Sequence, residues 1–201
     1  YALEGGIFVT GSAIQWLRDG LGIIQNASET TEIAQSVPDT GGMYFVPAFA
    51  GLGAPHWAMY ARGTMVGLTS GTSKAHIVRA TLEAIAYQVR DVLEVIRASS
   101  QLDITLLRAD GGGSANPFLM QFQADLIGIP VEVPKIAETT ALGAAYLIGL
   151  VVGFWDSQEE LSQQWRLNAR YEPRISLEES DRLYSDWQRA MERARDWEKP
   201  I

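Results

Sequence analysis

The stretch ITLLRADGGGSANPFLMQFQADLIG, residues 104–128, decides the fold class. Ile104 to Ala109 is a short, mostly apolar run of strand length. Asp110-Gly-Gly-Gly113 breaks it, and Asn116-Pro117 then offers an N-cap followed by proline at the first helical position, where a missing N–H costs nothing. Leu119, Met120, Phe122, Leu126 and Ile127 carry a helix as far as Gly128, which suits a left-handed stop. Strand, glycine loop and helix in that order is the repeating unit of an α/β sheet.

The same alternation continues on both sides. Downstream, Val131 to Val133 reads as a strand and Thr140 onward as a helix. A charged helix over Ser157 to Trp165 and a short extended piece near Arg170-Tyr171 follow. Ser176-x-x-Glu179 is a capping box for a last helix, with Leu183, Tyr184, Trp187, Met191, Ala194 and Trp197 on the face that packs against the domain edge. Upstream, Thr72 or Ser73 caps a long helix whose apolar stripe runs from Ile77 through Leu82, Ile85, Val89 and Leu93 to Ile96. Before it come a strand at Met65 to Leu68, a glycine-bearing loop from Gly51 to Trp57, and a strand at Met43 to Val46 that follows the turn Asp39-Thr-Gly-Gly42. The first helix spans Phe8 to Asp19 and stops at Gly20. No repeat, low-complexity run or linker interrupts residues 1–201, so a single domain is expected.

Bulk properties narrow the function. The 201 residues are 47% hydrophobic and 20% charged, which is enough to bury a core. The net charge of -8, with no basic cluster, argues against a nucleic-acid partner. There is no cysteine, which excludes disulfides and thiolate metal sites and is compatible with a reducing cytoplasm. Thr139 to Trp155 carries no charge and contains Gly149-x-x-x-Gly153. It is shorter than the roughly 20 residues that a bilayer core requires and has no basic flank, so a buried helix of a soluble domain is expected rather than a membrane span. The first residue is Tyr1, without a signal peptide's basic start or apolar run, so the numbering is expected to begin inside a longer protein.

Three places invite a ligand. The loop Asp110 to Asn116 lets backbone N–H groups and a helix N-terminus approach an anion or nucleotide closely, although tight strand-to-helix turns use glycine for conformation alone as well. Gly11, read inside the first helix, costs roughly 1 kcal/mol relative to alanine there, which suggests close packing or a flat ligand against the backbone. Gln15, one turn on, shares its face and can hydrogen-bond a base or ribose. His56 and His76 have no second His or carboxylate at metal-ligand spacing and read as scaffold residues. No nucleophile elbow, Gly-Lys-Ser/Thr phosphate loop or Gly-x-Gly-x-x-Gly fingerprint occurs.

These segments together carry a resemblance. YALEGGIFVTGSAIQWLRD, PAFAGLGAPHWAMYARG, GLTSGTSKAHIVRATLEAIAYQ, LRADGGGSANPFLMQFQADLIG and TALGAAYLIGLVVGFW, in this order, resemble the C-terminal domain of the FGGY carbohydrate kinase family over nearly the whole chain. Gly63-x-Met65-x-Gly67-Leu68 with His76-Ile77 and Ala80-Thr81-Leu82-Glu83 resembles the family's general signature. YALEGG, IQWLRD, GLGAPHW, YARG and NPFLMQFQAD are similar to its glycerol kinase branch.

The resemblance implies an actin-like ATPase, ribonuclease H-like α/β domain with a mixed sheet flanked by helices. It implies ATP and ADP as ligands, with magnesium on the phosphates, and transfer of the γ-phosphoryl group to glycerol. By motif match it makes Gly11, Gln15, Gly112 and Asn116 nucleotide contacts. It assigns the glycerol contacts and the catalytic base to an N-terminal domain before Tyr1, so no catalytic residue and no metal ligand is assigned here, and it implies a cytoplasmic homo-oligomer for the full-length protein. Kinases of the same family for xylulose or gluconate, and an inactive adenine-nucleotide-binding module, are the alternatives. One departure stands out: the family usually reads Ala-Pro-Tyr-Trp-Asp where this chain has Ala54-Pro55-His56-Trp57-Ala58.

Overall fold

A helix of 27 residues, α3 (Lys74–Ser100), has no glycine or proline to interrupt it and becomes the axis on which the other elements pack. Its first turn is closed by His76, whose Nδ1 accepts the Ser73 N–H at 3.1 Å, and the Ser73 carbonyl accepts from Ile77. Val78, Leu82, Tyr87 and Leu93 bury its apolar side. The computed structural model describes residues 2–100 and 102–198, so Tyr1, which opens the YALEGG segment, lies outside the described residues.

Three helices lie against α3: α1 (Gly11–Asp19), α2 (Glu29–Gln35) and α4 (Pro117–Ile127). Strand β1 (Tyr44–Val46) pairs antiparallel with β2 (Thr64–Val66), Phe45 standing opposite Met65. A second, mixed sheet holds β3 (Leu107–Arg108) parallel to β4 (Val131–Pro134), with β5 (Leu167–Tyr171) antiparallel on the far side of β4. The parallel crossover between β3 and β4 is α4 itself. Asn116 caps it, Oδ1 accepting the Leu119 N–H at 3.0 Å, and Gly128 ends it in the left-handed region at φ 69°. Helices α5 (Thr139–Val151) and α6 (Gln158–Ser162) follow β4, and α7 (Leu177–Ala194) packs over α4 and the β1–β2 pair. The α/β class and the mixed sheet flanked by helices are as expected.

Several local expectations need correction. The first helix starts at Gly11 rather than Phe8, whose ring is exposed. Helix α2 was invisible as an apolar pattern because Ile33 and Ala34 are its only apolar residues. Its start is set instead by the Glu29 carboxylate, which accepts the N–H groups of Gln25 and Asn26. The capping box of α7 is half made: Ser176 Oγ accepts the Glu179 N–H at 3.2 Å, while the Glu179 carboxylate binds Arg182. Trp197 lies past the helix end and is 70% exposed.

Helix α5 is not buried. Leu147, Ile148 and Val151 face solvent, and Gly149 gives room to Trp155 of its own chain, which meets Tyr146 edge-on at 5.1 Å, rather than to a neighbouring backbone. Among the described residues no helix is long and apolar enough to cross a membrane.

Two buried charges sit side by side on α3. The Arg90 guanidinium donates to the carbonyls of Leu126 (3.0 Å) and Ser180 (3.1 Å), to Ser180 Oγ (2.8 Å) and to Asp181. The Asp91 carboxylate accepts from Tyr184 Oη (2.7 Å) and Trp187 Nε1 (3.0 Å) and faces His56 Nε2 at 3.1 Å. Both residues therefore fasten α7, and Asp91 also holds the loop that carries His56.

Two turns earlier, Glu83 is buried with Arg79 Nε at 2.8 Å. Burial outweighs the attraction of Arg79 and pushes the Glu83 carboxyl up from 4.5 to about 7. A folded-state value above the unfolded one means that the native state holds the extra proton, so this group's contribution is complete below about 4.5 and is lost as pH rises through about 7. Urea midpoints measured across that window should fall with rising pH in the wild type. Glu83→Gln should remove that part of the slope, and an unchanged slope would show that Glu83 is ionised throughout.

Candidate functional site

A cavity of about 740 Å³ opens between α1, α3 and the loop that follows β3. One wall is the first two turns of α1, where Gly11, Ile14, Gln15 and Arg18 face in. Opposite stands the glycine loop from Asp110 to Ser114. Ile85 and Val89 of α3 and Leu119 and Met120 of α4 form an apolar floor beside Gln123, and Ala27 closes one side.

Local chemistry explains both walls. Gly11 is the first residue of α1, so the cost expected of a glycine inside a helix does not arise. No side chain caps this N-terminus, which leaves first-turn N–H groups available at the cavity edge. In the loop, Gly111 takes φ 74°, a conformation that favours glycine, and donates its N–H to the Ala137 carbonyl at 2.9 Å. Gly112 to Ala115 then form one 3-10 turn, tightened by Ser114, whose N–H and Oγ both donate to the Gly111 carbonyl at 3.1 and 2.8 Å.

Gly112 and Gly11, unlike Gly111, have no positive φ. A Cβ built on either meets no atom within 4 Å, so neither glycine is demanded by packing. Both border the same open space. Arg18, paired with Asp19 at 2.7 Å, and Arg108, whose guanidinium lies 4.4 Å from the centre of the Trp165 ring, are the cations on the lining, and Asp110 is a carboxylate there.

Of the residues singled out in the sequence, Gly11, Gln15 and Gly112 meet on this cavity and Asn116 does not line it. Asn116 lies behind the loop, 9% exposed, with Oδ1 on the Leu119 N–H and Nδ2 donating to Thr30 Oγ1 at 2.9 Å. Sequence reading passed over Arg18, Ala27, Asp110, Ser114 and Gln123. Asp110 and Ser114 stand inside the loop that invites a ligand, but the signal there is its backbone N–H groups rather than their side chains, and Gln123 lies on a helix face whose pattern is apolar.

The two histidines belong to the scaffold: His56 faces Asp91, and His76 closes the first turn of α3. Ala58, where the carboxylate is missing, exchanges backbone hydrogen bonds with Leu52 at 3.0 and 2.9 Å and thereby closes its loop. A second groove, about 860 Å³, runs between the Asp39–Gly42 turn and α7, but its Arg182 and Arg189 are already paired with Asp186.

Comparison with known proteins bears on this site. Residues 1–151 match the family model for the FGGY family of carbohydrate kinases, C-terminal domain. Glycerol kinase 2 of Thermotoga maritima is 61% identical over 199 residues, 99% of this chain and 40% of that protein. The crystal structure of Plasmodium falciparum glycerol kinase with ADP is similar at TM-score 0.84 and 38% identity, covering 92% of this chain and 37% of that one. Xylulose kinase from Rhodospirillum rubrum is similar at TM-score 0.77 and 27% identity, over 92% and 38% of the two chains. The chain thus spans about two-fifths of the length of the relatives it matches.

Because Gly11 has an ordinary helical backbone and open space at its Cβ, Gly11→Ala should stabilise the unliganded chain by about 0.4–1 kcal/mol through the unfolded state. Denaturant midpoints check this, and a loss of stability would mean that the glycine is needed by the fold.

Proposed function

We infer the function from one premise: the chain belongs to the FGGY family of carbohydrate kinases, as a C-terminal domain of that family. We propose that residues 1–201 form one domain, the nucleotide-binding half of an ATP-dependent glycerol kinase that transfers the γ-phosphoryl group of ATP to a terminal hydroxyl of glycerol, giving glycerol 3-phosphate. The glycerol branch is favoured over xylulose because the likeness to glycerol kinases is higher in both identity and fold overlap. Such an enzyme would work in the cytoplasm as a homo-oligomer.

The observation that carries this reading is the pair of glycines, Gly11 and Gly112, facing each other across an open cavity with nothing near their Cβ positions. An adenosine lying between them would touch backbone on both sides. Ile14 and the α3 residues Ile85 and Val89 offer an apolar surface for the base, and the Gln15 amide can donate to or accept from base or ribose. The uncapped start of α1 and the 3-10 turn bring backbone N–H groups and the positive end of a helix dipole to the same mouth, which suits an anionic ligand. Phosphoryl transfer needs chiefly positioning and charge stabilisation, so a half-site that holds the nucleotide still performs a defined part of the reaction.

The nucleotide fits these residues. Magnesium would ride on the nucleotide's phosphates and needs few protein ligands; among the described residues no three His, Cys, Asp or Glu side chains gather as a metal-binding group, so no ligand is assigned and no step is derived through it. The polyol contacts and the base that accepts the hydroxyl proton are placed outside this sequence.

A thermal-shift titration with ADP, ATP and GTP tests the reading. At tenfold excess over its dissociation constant an adenine nucleotide adds about 1.4 kcal/mol, a shift of a few degrees. Gly112→Val should melt like the wild type without ligand, since its side chain enters open space, and should lose the adenine-dependent shift. A wild type that melts cooperatively yet shows no adenine-selective shift would remove the proposal, as would turnover of glycerol and ATP by this chain alone.

A further inference from the structure

We infer that Thr30 is a positioning residue of the nucleotide site: from behind the cavity it ties the glycine loop to the side that Ala27 closes. The inference rests on the reading of that cavity as a nucleotide site. Thr30 is fully buried on α2 and touches no part of the cavity surface. Its hydroxyl has one proton, which goes to the Ala27 carbonyl at 2.6 Å, so its lone pairs are free to accept Asn116 Nδ2 at 2.9 Å. Ala27 and Asn116 are far apart in sequence: Ala27 lines one side of the cavity, and Asn116 lies behind the glycine loop. Thr30 is the link that joins them.

The polarity of this chain of bonds leaves one arrangement. Asn116 Oδ1 must accept the Leu119 N–H to cap α4, so Nδ2 must point the other way, towards Thr30. Rotating the amide by half a turn would set its NH₂ against the Leu119 N–H and leave two donors facing each other in a buried place. With the amide fixed, the Asn116 backbone is fixed too, and its N–H donates to the Gly113 carbonyl at 3.2 Å, inside the 3-10 turn that carries Gly112. Displacements well under an ångström at such a wall weaken a preorganised site. A hydroxyl bonded to a carbonyl three residues back is common at the start of a helix. The bond from Asn116, 86 residues away along the chain, is not explained by that habit.

Three variants and one control separate this role from ordinary stabilisation, each read by ADP-dependent thermal shift converted to a dissociation constant. Thr30→Val keeps the volume but removes the acceptor, and should weaken ADP about tenfold. Thr30→Ser keeps the hydroxyl and should bind within about twofold of the wild type. Ser180→Ala removes a buried hydroxyl that serves Arg90, away from the cavity, and should lower the melting temperature without changing ADP affinity. If Thr30→Val does not fold, Thr30→Ala takes its place with the same expectation. Wild-type affinity in the valine or alanine variant overturns the role of Thr30 while leaving the nucleotide site standing. Equal weakening in Ser180→Ala also overturns it, because the effect would then be global. Absence of any ADP shift in a folded wild type removes the nucleotide reading itself, and the inference with it.

Discussion

Arg90 and Asp91, consecutive on α3 and both buried, are the constraint on which the arrangement of the helices depends. A charge withdrawn from water must be paired or hydrogen-bonded, and leaving either of these alone would cost several kcal/mol. Arg90 donates through its two Nη atoms to the end of α4 and the start of α7, and Asp91 accepts from Tyr184 and Trp187 further along α7 and faces His56 from the long loop. Because the two side chains are adjacent, their partners must arrive at one level of α3. This fixes α7 along its length, so Trp187 stacks on Tyr87 with ring centres 5.1 Å apart. Apolar burial supplies the greater share of stability, yet it is tolerant of sliding. These directional bonds are not.

That fixed axis is what makes a cavity possible. Ile85 and Val89 project from α3 into its floor, and α4, held at its far end by the Leu126 carbonyl on Arg90, brings Leu119 and Met120 beside them. The walls are short pieces of backbone, the first turn of α1 and the 3-10 turn, each too small to hold its own position. Their placement is inherited from contacts made elsewhere: α1 from its packing on α3, the glycine loop from Gly111 on Ala137 and Asn116 on Thr30. Of these contacts only the bond between Asn116 and Thr30 is both buried and made by polar side chains.

This division decides how much was legible in the sequence. Asn116-Pro117 and Gly128 marked both ends of α4 within a residue, because cap chemistry acts over three or four positions and can be read locally. The strand, loop and helix order gave the α/β class for the same reason, while the mixed sheet followed from the family resemblance. Helix α2 left no apolar stripe, and its starting cap comes from a glutamate side chain reaching back, a pattern that many loops share. Helix α5 misled in the other direction: a run without charge implies burial only if something covers it, and coverage is a property of the fold rather than of the segment. Three of the four residues chosen for the site lie on one cavity. The fourth, Asn116, is joined to it through Thr30, a contact across 86 positions that no local pattern announces.

The glycines show most directly what coordinates add to a motif. Asp110-Gly-Gly-Gly113 on paper is equally a tight turn and a ligand cradle. In space the residues separate: Gly111 adopts φ 74° and is needed by the backbone, whereas Gly112 has an ordinary conformation, no neighbour within 4 Å of a Cβ, and no local reason to be glycine. Gly11 is of the second kind: it too has no neighbour within 4 Å of a Cβ and no positive φ. Two glycines that neither packing nor backbone conformation demands, on facing walls of one cavity, leave room for a third body in the space between.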